Sequence, residues 1–123
     1  NYDWTAIPDA EVPIAAGPAW QHLLATYASE TNKTASMWKA VPDEKLDFRP
    51  HEKANTIRTI LVHQLLSERR FFARFVGTAE PPVEELLTTG ERPTTAAYVE
   101  KYVGLAKLRL PQFAAGTTAW WLE

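Results

Sequence analysis

Between Asn55 and Gly77 the sequence reads NTIRTILVHQLLSERRFFARFVG, which sets His63, Gln64 and Glu68 into a segment otherwise rich in leucine, isoleucine and phenylalanine. An imidazole can hold a divalent ion or carry a proton, and a carboxylate kept from water must be paired, hydrogen-bonded or protonated. At about 100° of rotation per helical residue from Ile57, Gln64 falls near 340° and Glu68 near 20°, the middle of the apolar stripe. The periodicity therefore predicts both inside or nearly so. Glu68 then needs a partner, for which a tyrosine hydroxyl, an indole N–H, Arg49 or Arg109 would serve. His63 falls near 240°, on a flank about 60° from Ile60. A flank is where a half-exposed histidine with no special role sits, and also where the seam with an adjacent helix opens, the place in which bundle metal sites are built. Spacing leaves both readings open.

The other two histidines add little. His22 lies opposite the apolar stripe of its segment and reads as solvent-exposed, while His51, in FRPHEK, lies in a loop where it could cap a backbone group. No two histidines stand four residues apart, and no nucleophile elbow, glycine-rich phosphate loop or HExxH appears. Cysteine is absent, which removes disulfides, thiolate nucleophiles and sulfur-bound zinc. A metal would have to bind through nitrogen or oxygen.

Three helical segments would position these groups. The first opens at Gly17-Pro18, where proline suits the first turn, and carries Trp20, Leu23, Leu24, Tyr27, Thr31, Thr34, Ala35 and Trp38 on one face before Pro42 ends it. The second starts at Asn55 or Thr56 and stops at Gly77, with a stripe of Ile57, Ile60, Leu61, Leu65, Phe71, Phe72 and Phe75. A polar crossover with a short helical turn at Val83–Leu87 leads to the third, near Thr94 or Thr95. That helix buries Tyr98, Tyr102, Leu105, Ala106 and Phe113, widened by Val99, Val103 and Leu110, and Pro111 is expected to bend or end it. No stretch alternates as a strand does. The expectation is an all-α antiparallel bundle of three long helices, with a fourth missing or supplied elsewhere; GTTAWWLE could begin it or cap the others.

The 123 residues fit one domain, residues 1–123. Because the chain opens on Asn1 and stops at TTAWWLE, the expectation is a segment lacking its C-terminal helix. Thirteen basic residues against 15 acidic ones give a formal charge of −2 with no basic stripe, which argues against nucleic acid. No apolar run approaches the roughly 20 residues of a membrane span, so no membrane partner is expected. The acidic, proline-broken start, NYDWTAIPDAEVPIAAGPAW, is unlike a secretory signal, and a cytoplasmic setting is the expectation.

The order of residues from Ala40 to Gly77 resembles the DinB/YfiT-like family: Pro42, Glu44, Leu46, Phe48, Arg49 and Pro50 follow a P-x-E-x-L-x-[WF]-R-P pattern, and Thr56, Ile57, His63 and Glu68 follow at the family's spacing. The resemblance implies a four-helix bundle, often dimeric, with a divalent ion on three histidines and activity as a metal-dependent hydrolase or thiol transferase on a small-molecule substrate. His63 matches the second-helix ligand. The other two ligands belong to a His-x-x-x-His pair of the fourth helix, which this sequence lacks. Zinc or nickel is implied if those ligands are supplied, and no cofactor otherwise, since one imidazole makes a poor site. Glu68, Gln64 and Arg49 would be neighbours of the site or structural residues, Glu68 lying about 140° around the helix from His63. The competing reading is a non-catalytic helical scaffold or self-associating homodimer without metal. A third, ligand binding among Trp20, Tyr27, Trp38 and Phe72, competes with ordinary aromatic core packing.

Overall fold

The computed structural model describes residues 5–81 and 93–122. These residues form four α-helices, α1 (Pro18–Lys39), α2 (Ile57–Val76), α3 (Thr95–Ala114) and the short α4 (Thr118–Leu122), with 3-10 turns at Asp9–Glu11 and Asp43–Lys45. No strand is present among the described residues. The all-α class and three long helices agree with the sequence; the expected turn at Val83–Leu87 lies outside the described residues.

The chain divides into two compact units, one of Asn1–Ser36 with Val103–Glu123 and one of Met37–Tyr102. In the first, residues before α1 form an extended strap held by side-chain amides. The Asn32 carboxamide accepts the Ile7 N–H at 2.8 Å and donates to the Ile7 carbonyl at 3.0 Å, and Ile7 is fully buried. Gln21 repeats the device on Ala15 N–H and the Pro13 carbonyl. Each amide imitates a neighbouring peptide group, so these backbone groups of the strap are satisfied without a sheet. Aromatic rings fill the rest: Tyr27 meets Phe113 edge-on at 5.5 Å, and Trp20 stacks on Trp121 at 5.5 Å. A Cβ at Gly116 would run into the Trp120 ring.

Two expectations for this unit change. Leu23 lies on the edge of the α1 stripe and is exposed, whereas Asn32 is buried to hold the strap. Pro111 does not end α3, which runs on to Ala114. Its ring lies on the exposed side, beside the exposed Lys107, where water can reach the carbonyl that loses its donor.

In the second unit the segment after α1 is fastened to the start of α2. Leu46 is buried at 1% exposure, and the carbonyls of Leu46 and Phe48 accept the first N–H groups of α2, from Arg58 at 2.7 Å and Ile57 at 3.2 Å. The Thr56 side chain accepts the Thr59 N–H. Donors with no intrahelical partner are thus matched before the helix begins. At the other end Gly77 takes a left-handed φ of 79°, and its N–H closes on the Ala73 carbonyl, as the sequence predicts. Asp43 reaches the start of α3, accepting the Thr95 N–H at 2.8 Å, and Trp38 packs on Tyr102 with ring centroids 4.6 Å apart.

Candidate functional site on the second helix

α2 buries Leu61, Leu65 and Ala73. On the helical wheel these lie near 40°, 80° and 160°, so the covered face is centred near 90° from Ile57. The predicted stripe was centred near 0°, and the difference is large. Ile60, Phe71 and Phe75, expected in the core, are 53%, 55% and 68% exposed. Half of the apolar arc is covered and half is open.

Gln64 and Glu68 lie in this open half, both partly buried, with the Gln64 Nε2 donating to Glu68 Oε1 at 3.2 Å. Periodicity set both in the middle of the covered stripe, inside or nearly so; they are partly buried on its open side, and a neighbouring amide serves as a partner for the carboxylate. Arg49 is exposed, its guanidinium directed at the Glu52 carbonyl at 3.5 Å. His63 is exposed on the same open side. His22 is exposed as expected, and His51 caps its loop by accepting the Lys53 N–H on Nδ1 at 3.2 Å.

A three-histidine centre does not fit the described residues on their own: no group of three His, Cys, Asp or Glu side chains among them could hold a metal ion. Trp20, Tyr27 and Trp38 have rings engaged by Trp121, Phe113 and Tyr102, as core packing requires.

Sequence reasoning missed Arg58. Its Nη1 donates to the Pro93 carbonyl at 2.7 Å and the Tyr98 hydroxyl at 3.1 Å, and its Nε to Asp47 at 3.2 Å. Burial lowers its pKa, but the bonds to Tyr98 and Asp47 outweigh that, and the net direction is upward. A raised arginine contributes stability in full below its unfolded pKa and loses it only above its folded one, so this clamp stays charged throughout the working range. The available signal was a cation in the first turn of a helix, against the macrodipole, which asks for a partner outside the helix.

No helix of the described residues is long and apolar enough to cross a membrane. Taken together, an all-helical chain with a proline-marked loop locked onto the start of its second helix, and a histidine on that helix's open side, define a class of helical domain. The family model of the DinB superfamily matches residues 26–121, and the chain belongs to that superfamily. No curated protein and no solved structure matches the chain.

Proposed function

We propose that this DinB-superfamily domain works by helix–helix association, with the open arc of α2 as the docking face and a second copy of the chain as its occupant. The observation that carries this reading is the exposure of Ile60, Phe71 and Phe75 within an arc of about 60°. Apolar groups gathered in this way mark interaction surfaces. The three side chains offer on the order of 350 Å², roughly half of the ~800 Å² that a standard interface takes from each partner. Neighbours on α2 must therefore join the contact, and the pairing is weak and reversible. A twofold dimer needs only one self-complementary surface, which is why the chain itself is the occupant. The Gln64–Glu68 hydrogen bond favours covering this face, because the carboxylate keeps a polar partner when water leaves.

Sedimentation equilibrium tests the proposal. The expected result is a reversible dimer, shifted to monomer by Phe71→Ser with Phe75→Ser while the helical circular dichroism is unchanged. Association unaffected by the double substitution would refute it.

The position of His63 favours a second reading on the same face. It is exposed, about 60° around α2 from Ile60, and stands where the family's second-helix ligand is expected. A helix covering Ile60 could bring further ligands to the imidazole and hold zinc or nickel jointly, as a metal-dependent hydrolase or thiol transferase requires. Under this reading the assembled protein keeps a divalent ion through dialysis and His63→Ala loses it; metal retained by the variant would rule His63 out.

A further inference from the structure

A second apolar surface lies at the corner between the end of α1 and the start of α2, all of it within Met37–Tyr102. Met37, Ala40, Val41, Pro42, Phe48 and Ile57, with Lys45, line a cleft of about 390 Å³. That volume lies within the ~300–1,000 Å³ of small-ligand sites. Met37 and Phe48, both in the lining, are 67% and 52% exposed.

The backbone that carries one wall is held by hydrogen bonds. Leu46 is buried, the Leu46 and Phe48 carbonyls are bonded to the α2 N–H groups, and Asp43 holds the Thr95 N–H. A backbone already held in place spares a ligand the cost of ordering it. Those bonds also bear on the kind of ligand. An extended peptide needs free backbone groups along its groove, and in this wall the Phe48 carbonyl and the Ile57 N–H are bonded to each other. A small molecule makes no such demand.

The charge in the lining is a single cation. Lys45 has no ion-pair partner among the described residues, while the carboxylates two residues to either side are engaged: Asp43 by the Thr95 N–H, Asp47 by Arg58. We propose that this cleft binds a small amphipathic carboxylate, an aromatic or medium-chain alkyl acid, with its apolar body on Met37, Val41, Phe48 and Ile57 and its carboxylate on the Lys45 ammonium. Pro42 and Phe48 of the proline-marked motif are part of its wall, and Ile57 is the lining residue that it shares with the apolar arc of α2.

The test is an amide NMR titration of the whole chain with 2-naphthoate, and with 2-naphthamide as the uncharged counterpart. A ligand of this size at ordinary efficiency gives a dissociation constant on the order of millimolar. The expected shifts gather on the amides of Met37, Ala40, Val41, Lys45, Phe48 and Ile57. Lys45→Gln, at an exposed position, weakens naphthoate roughly fivefold and leaves naphthamide within about twofold. Ala40→Trp, which fills the cleft, blocks both. Shifts on Phe71 and Phe75 in place of the cleft, equal binding of the two probes, or a Lys45→Gln variant that binds naphthoate unchanged would each overturn the proposal.

Discussion

α2 and α3 have the same length, 20 residues, and comparable apolar content along one side, yet they are used differently. α3 buries a full stripe: Tyr98, Val99, Tyr102, Leu105, Ala106, Leu110 and Phe113, with Arg109 among them. α2 buries Leu61, Leu65 and Ala73 and leaves Ile60, Phe71 and Phe75 open. An apolar stripe records how much surface is meant to be covered; which part is covered within the chain depends on the neighbours available. On α3 the stripe is buried except for the half-buried Val103. On α2 it splits into a buried half and an exposed half, and His63 lies beside the exposed half.

The sharpest way to break this contrast compares two positions on one helix. Leu65, fully buried, should cost about 2–5 kcal/mol on Leu65→Ala by chemical denaturation, as should Leu105→Ala on α3. Next is Arg58→Met, which removes bonds to Pro93, Tyr98 and Asp47; a loss of about 1–3 kcal/mol is expected, with earlier hydrogen exchange at the start of α2 than at its end. On the outer face of α3, a Cβ at Gly104 would meet nothing within 4 Å, so Gly104→Ala should raise stability by about 0.5–1 kcal/mol. The smallest effect falls on the larger side chain. Phe75→Ser should change monomer stability by less than about 0.5 kcal/mol; a cost like that of Leu65→Ala would mean that the arc is internal after all.

What the sequence made legible follows from how local each signal is. Thr56 and Gly77 bound α2 because a cap acts on groups one to four residues away, and the α3 stripe was read correctly because one side of that helix is covered throughout. The centre of the α2 face was misplaced by about 90° because helical spacing reports which residues share a side, not which side meets a neighbour. Whether Pro111 ends its helix depends in the same way on surroundings, because water that reaches the freed carbonyl lets α3 run three residues further, to Ala114. Asn32 and Arg58 escaped because their partners are 25 residues away at Ile7, and 35 and 40 away at Pro93 and Tyr98. The family-like motif is legible as sequence and becomes physical as the loop that supplies carbonyls to α2, while His63 is an exposed imidazole without two further ligands grouped beside it among the described residues.

Fluorine NMR of the chain labelled with 4-fluorophenylalanine addresses the open face most directly, because its five phenylalanines include both kinds of surface. On concentrating the protein, the resonances of Phe71 and Phe75 should move together as the face is covered, while those of buried Phe113 and of Phe48 in the cleft stay fixed. Phe71 and Phe75 signals indifferent to concentration, or a shift confined to Phe48, would contradict the assignment of α2 as the associating surface.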